Sequence, residues 1–265
     1  MSTGTRHRPR KRFGQNFLHD KEVINQIITA FDPDPDLAIV EIGPGKGALT
    51  LPLLRQAGTV NVIEIDTDLA RVLTDRSQGI GTLRLYTGDA LKFDFSQIMP
   101  TPLQIIGNLP YNISTPMMFH LLSEISIIKI MVFMLQKEVV DRICAKHNET
   151  DYGRLSVMIQ SQCQVEKLFT VPAAAFTPSP KVTSAVLKLR PLTAPASSIS
   201  DPKLFEKIVR LAFGQRRKTI RNALKGIVDL DCLQALSIAS SSRAENLSVN
   251  DYVNIANKVY HQQNQ

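Results

Sequence analysis

The sequence is sparing with cysteine, histidine and long apolar runs, and each shortage excludes something. Its three cysteines, Cys144, Cys163 and Cys232, lie far apart with no Cys-x-x-Cys spacing, and the five histidines are scattered. That distribution argues for a reducing compartment and against a structural zinc site, so no metal ligand set is expected. No stretch approaches the ~18 uninterrupted apolar residues that a membrane-spanning helix requires. The opening MSTGTRHRPRKRFGQNFLHD is basic but has no apolar run behind it, so it lacks the middle region of a secretory signal. A soluble, cytoplasmic protein without membrane partners is expected. Acidic residues are missing from two segments: residues 1–12 hold five basic side chains and residues 210–225 hold six. These segments concentrate the net charge of +7 and suit a polyanion partner; the alternative is a solvated tail and helix face.

What is present is an ordinary globular composition, 43 % hydrophobic and 21 % charged over 265 residues. That is enough for one large domain plus a small one, or a single domain at the upper end of the usual range. LAIVEIG, VNVIEID, LRLYTGD, LQIIGNLP and IKIMVFML read as buried strands bounded by Gly, Pro, Asp or Asn, and QVEKLFTVP and SAVLKLRP as later antiparallel additions. Helical stretches lie between the early strands; in TDLARVLTDR, Asp66 or Thr67 can cap the first turn. Strand–helix alternation means an α/β fold with a mostly parallel, doubly wound sheet whose ligands sit beyond the C-terminal strand ends. The proline- and serine-rich PLTAPASSIS, 191–200, suits a linker. After it, Asp201-Pro202 and the Ser248-x-x-Asp251 capping pattern, with Leu247 placed for a staple, open helices. The expected organisation is a basic arm over 1–20, a catalytic domain over 21–190, the linker, and a helical domain over 201–265.

EIGPGKGALT, 41–50, follows the first of these strands and holds Gly43, Gly45 and Gly47. Glycines at such a turn let a backbone approach a ligand, and the next helix offers free N–H groups. The spacing fits neither the phosphate-cradling loop nor the dinucleotide fingerprint, since Gly47 follows Lys46 directly and arrives one position early. Glu64 ends the next strand, where a carboxylate can accept from both hydroxyls of a ribose. Asp89, in TGDAL, can accept from the exocyclic amine of an adenine. Ribose and adenine contacts without a phosphate cradle point to an adenosine cofactor lacking phosphates, S-adenosylmethionine.

IIGNLPYNIS, 105–114, brings Asn108 to the same edge. The exocyclic amine of adenine is a poor nucleophile because its lone pair is delocalised into the ring. If the Asn108 side-chain oxygen and the Leu109 carbonyl each accept one of its N–H groups, the nitrogen is drawn toward tetrahedral geometry with its lone pair aimed at a methyl donor. Pro110 restricts Leu109 to extended geometry and so sets that carbonyl's direction. Tyr111 can stack on the base, and Phe176, on a loop held by Pro178 and Pro180, is a second candidate face opposite it. A base in folded RNA must be splayed out to be reached, and aromatic stacking suits its capture. The work is orientation and electrostatics, with no strong general base.

FGQNFL, EIGPGKGALT, VIEID, GDAL, GNLPYNIS, FTPSPKVTSAV and AFGQRRKT occur in this order, and together the chain resembles the ribosomal RNA adenine dimethyltransferase family, in particular its bacterial small-subunit branch. The resemblance runs from about Arg12 to Leu224. It implies a class I, Rossmann-like methyltransferase fold with S-adenosylmethionine as donor. The implied reaction is dimethylation of two adjacent adenosines in the hairpin loop near the 3′ end of 16S rRNA, within an immature small ribosomal subunit, by a monomer. It further implies that Asn16 and Leu18, with Gln15 beside them, close over the cofactor, that Gly43 lies along its methionine portion, and that Glu64 and Asp89 hold ribose and adenine. Asn108 would serve both cofactor and catalysis, while Leu109, Tyr111 and Phe176 handle the base and Arg216, Arg217, Lys218 and Arg221 contact RNA phosphates. Two other readings stay open: a large-subunit relative that modifies one adenosine and confers macrolide resistance, and a non-catalytic RNA-binding assembly factor on the same scaffold.

Overall fold

Short apolar runs broken by glycine and acidic caps become a sheet whose strand ends converge on one edge. The structure, a computed structural model, describes residues 15–192 and 199–264. The basic positions 6–12 of the expected arm and most of the expected linker lie outside them. In chain order the elements are β1 (Phe17–Leu18), α1 (Lys21–Phe31), β2 (Ala38–Ile42), α2 (Thr50–Ala57), β3 (Thr59–Glu64), α3 (Thr67–Ser77) and β4 (Thr82–Thr87). There follow β5 (Leu103–Asn108), α4 (Ser114–Ser123), β6 (Ile128–Gln136), α5 (Lys137–Cys144), α6 (Arg154–Gln160), β7 (Cys163–Val171), β8 (Phe176–Thr177) and β9 (Ser184–Pro191). The last helices are α7 (Pro202–Gly214), α8 (Ile220–Ala223), α9 (Leu230–Ala235) and α10 (Val249–Gln263).

The seven expected strands form one seven-stranded sheet in the order β4-β3-β2-β5-β6-β9-β7. β4, β3, β2, β5 and β6 pair in parallel, and β9 pairs antiparallel to β6. Every residue of β2 is buried, as a central parallel strand covered on both faces requires. Edge strand β4 is half exposed. The chain runs outward from β2 through β3 to β4 and then returns to β2's other side as β5, so the order reverses between β2 and β5. In such a sheet, ligands bind in the crevice at that reversal.

Helices cover the sheet by ordinary amphipathic logic. α1 is capped by the Asp20 carboxylate, which accepts from the Glu22 and Val23 N–H groups, and it buries Val23, Ile27, Ile28 and Phe31 on one face. These join Leu53, Val60, Ile106 and Val132 in one apolar cluster. Phe31 is fully enclosed, and truncation to alanine costs about 3–5 kcal/mol for such a ring. Asp66, one of the two candidate caps, caps α3 through the Asp68 and Leu69 N–H groups. A second, two-stranded sheet pairs β1 with β8, Leu18 opposite Phe176 and Phe17 opposite Thr177. Two-residue strands carry too little periodicity to be legible in sequence.

The chain divides into two compact units. One comprises the residues up to Val140 and Glu166–Pro191; the other comprises Asp141–Val165 with Leu192 onward. The sequence pattern places residues 141–165 in the catalytic domain. In the structure they group with the helical tail, because α6 packs against α7 and α10 and Asn148 donates its N–H to the Glu245 carbonyl. Pattern identifies helices but not their partners. Within this helical unit Asp201 caps α7, and Ser248 and Asp251 form the expected reciprocal box on α10. Phe213 lies between Tyr152 and Tyr252, at 5.9 and 5.7 Å between ring centroids.

Candidate active site

The ends of β2, β3 and β5 and the turn after β4 enclose a cavity of about 310 Å³, within the usual range for small-molecule sites. Residues 15–18 form a further part of its wall. The turn after β2 can come close because it is glycine: Gly43 and Gly45 have φ of +67° and +56°, where other L residues are strained. A side chain at Gly45 would in addition press on the Phe17 ring, 3.3 Å from an ideal Cβ.

Glu64 lies at the centre of this edge. It is 5 % exposed, with Oε2 accepting the Gly45 N–H at 3.2 Å and Oε1 the Asp66 N–H at 2.9 Å. Burial pushes its pKa up, and the backbone donors at Asp66, Gly45 and Ile65 pull it back. A carboxylate has about four lone-pair directions, so acceptor capacity remains for a ligand hydroxyl. Asp89 has one oxygen engaged with the Leu91 N–H at 3.0 Å, and it too lines the cavity. Between them, Ile65 is 48 % exposed on the cavity wall, an apolar face for a flat ring.

At the end of β5 the Asn108 amide group donates to the Asn16 carbonyl at 3.1 Å. That bond orients the side chain, and none of the described hydrogen bonds reaches its oxygen. Leu109 is buried and its N–H is held by the Met134 carbonyl at 3.2 Å, while its own carbonyl accepts none of the described hydrogen bonds. The Tyr111 hydroxyl pairs with the Ser184 hydroxyl at 2.8 Å, which fixes the ring's direction. Asn16, Leu18, Gly43, Glu64, Asp89, Asn108, Leu109, Pro110 and Tyr111 all line the one cavity. Gln15 donates to the Asp66 carboxylate at 3.2 Å.

Phe176 does not join them. It is 3 % exposed and packs in the apolar cluster with Leu18, Val23 and Ile27, so its ring forms no part of the cavity wall. The β1–β8 pairing, invisible in sequence, puts it there. Arg216 is exposed and also makes contacts within its own unit. Its guanidinium donates to the Tyr152 carbonyl at 3.1 Å and stands 3.6 Å from the Glu245 carboxylate, inside the helical unit. Arg217, Lys218 and Arg221 are exposed and make none of the described ion pairs. Arg221 and Lys225 border an open cleft of about 500 Å³.

Glu41, Ile65 and Ser184 join the site without being among the residues the sequence pattern marks. Glu41 is buried beside the cavity, accepts from the Thr50 hydroxyl at 2.6 Å, and has its pKa pushed up to about 8, chiefly by burial, with the charge of Glu64 adding to the rise. Its signal was an acid inside an otherwise apolar strand. For Ile65 the signal was an apolar residue between two acids at a strand end; Ser184 had none.

The residues 6–261 match the family described as ribosomal RNA adenine dimethylase. The chain belongs to that family. This dimethylase relative is 53 % identical over 252 residues to the ribosomal RNA small subunit methyltransferase A of Legionella pneumophila (strain Corby), covering 95 % of this chain and 98 % of that one. Among solved structures it is similar to a dimethyladenosine transferase from Plasmodium falciparum, with a TM-score of 0.83 at 27 % identity over 93 % of this chain and 98 % of that one. It is also similar to the 23S rRNA methyltransferase ErmE, with a TM-score of 0.74 at 26 % identity over 92 % and 100 %. The chain is thus an rRNA adenine methyltransferase on a mixed α/β methyltransferase fold. Backbone likeness alone does not separate the small- and large-subunit branches, whereas the 53 % identity places the chain beside the small-subunit enzymes.

Proposed function

We propose that this chain dimethylates two adjacent adenosines in the 3′-terminal hairpin loop of 16S rRNA while the small subunit is still immature, acting as a cytoplasmic monomer. S-adenosylmethionine is the donor, and it supplies a methyl group activated by a sulfonium. The cavity fits that molecule: a buried carboxylate for the ribose at Glu64, an acid and an apolar face for adenine at Asp89 and Ile65, and glycine backbone for a close-lying methionine portion. Asn16 and Leu18 close the near side.

The observation that carries the catalytic reading is a pair of acceptors in the wall of this cavity, the Asn108 side-chain oxygen and the Leu109 carbonyl, that none of the described hydrogen bonds reaches. Together they take the two N–H groups of the target amine and direct its lone pair into the cavity. Pro110 sets the carbonyl's direction and Tyr111, anchored by Ser184, stacks on the base. The amine proton becomes acidic once the nitrogen is methylated and leaves to solvent, so no strong base is required. Phe176 serves as a second stacking face only when its ring leaves the Leu18 cluster. Residues 201–265, with Arg217, Lys218 and Arg221 outward, supply phosphate contacts.

Asn108→Ala tests this. Cofactor affinity by calorimetry is expected to stay within a few-fold, while methyl transfer to unmethylated small subunits falls by two or more orders of magnitude, about the effect of removing one oriented polar group at a reacting centre. Unchanged turnover removes the catalytic assignment. Mapping the labelled nucleotides after reaction with small subunits, large subunits and naked RNA tests the substrate.

A further inference from the structure

The described cavity wall holds three acids, Glu41, Glu64 and Asp89, and one cation, Lys46. Lys46 occupies the fourth position of the Gly43–Lys46 turn. Its ammonium lies 4.4 Å from the centroid of the Phe17 ring, over the ring face. Three contacts hold this pair. Phe17 is paired through β1 to β8, its ring lies against Gly45, and the Arg76 guanidinium donates to the Lys46 carbonyl. None of the described ion pairs involves the Lys46 ammonium, whose described contact is the Phe17 ring face.

A cationic group beside a ligand that itself carries a sulfonium and an ammonium would be unfavourable unless it met an anion. The donor offers one anion, the carboxylate of its amino-acid end. The wall also runs in the matching order: Asp89 and Ile65 for the base, Glu64 for the ribose, then Gly45 and Lys46. We propose that Lys46, held on the face of Phe17, is the subsite for the α-carboxylate of S-adenosylmethionine. Placement over an aromatic ring already limits the freedom of a long side chain, so less of it remains to be given up on binding. Phe17 is thereby a positioning residue for Lys46. This inference rests on the cavity being the donor site.

The test compares two ligands by titration calorimetry, S-adenosylmethionine and its decarboxylated analogue, which keeps the adenosine, the sulfonium and the amine. Lys46→Gln should lose about tenfold in affinity for S-adenosylmethionine, as expected for one charge-assisted hydrogen bond, and less than twofold for the analogue. Lys46→Arg should restore most of the loss, and Phe17→Leu should reproduce a smaller ligand-selective loss. An equal loss for both ligands, or none for either, overturns the proposal. So does a Lys46→Gln protein that binds donor normally but RNA more weakly, which would make Lys46 a phosphate contact. If the unaltered protein bound neither ligand, the donor-site assignment itself would fall, and this inference with it.

Discussion

Glu41 exposes the electrostatics of the cavity to a direct measurement. Burial raises its pKa from 4.5 to about 8, against the opposing hydrogen bond from Thr50. The folded protein therefore keeps a proton that the unfolded chain gives up. Below pH 4.5 both states are protonated and the group contributes nothing. As pH rises from 4.5 to about 8, only the unfolded chain ionises, and stability falls; above that range the loss levels off. At about 1.4 kcal/mol for each tenfold change in proton affinity, the full loss has a ceiling of about 5 kcal/mol. Glu41→Gln keeps the size of the side chain and an acceptor for Thr50 but cannot ionise. Denaturant unfolding followed by circular dichroism at pH 5.5 and 8.5 should show the variant gaining about 3 kcal/mol on the unaltered protein between the lower and the higher pH. A bound donor, being cationic, reverses the preference of Glu41 and favours its ionised form. Donor binding at pH 7 should then expel up to about 0.9 proton, read from calorimetry in buffers of different ionisation enthalpy, and none from Glu41→Gln. Parallel pH profiles for the two proteins, with equal proton release, would refute the assignment of a protonated Glu41.

Two further outcomes concern the helical unit. Replacing Arg217, Lys218 and Arg221 by glutamine should weaken rRNA binding and reduce the slope of log affinity against log salt by about 0.7–0.9 for each phosphate no longer neutralised, so an unaltered slope would return these residues to a solvated face. Arg216→Met should instead lower stability by about 0.5–1 kcal/mol, the usual range for a solvent-exposed pair, since it removes the contacts to the Tyr152 carbonyl and Glu245; an unchanged denaturant midpoint with weaker RNA binding would reassign it to the phosphate-contact set.

The parallel sheet, its reversal edge and the chemistry placed there are legible in the sequence, because strand periodicity and strand-end residues are local properties. Gly43, Glu64, Asp89 and Asn108 each stand at the end of a recognisable strand or in the turn after it, so their convergence follows from the sheet's construction. Which side chains meet at the cavity and across each unit depends on the folded arrangement. It set Phe176 into the core through a two-residue pairing with Leu18, tied Arg216 to Tyr152 and Glu245, gathered residues 141–165 with the helical tail, and brought Ser184 to the Tyr111 hydroxyl. These pairings join segments far apart along the chain, and no spacing in the sequence encodes them. The protonation of Glu41 belongs with them, because it depends on everything that keeps water from one carboxylate.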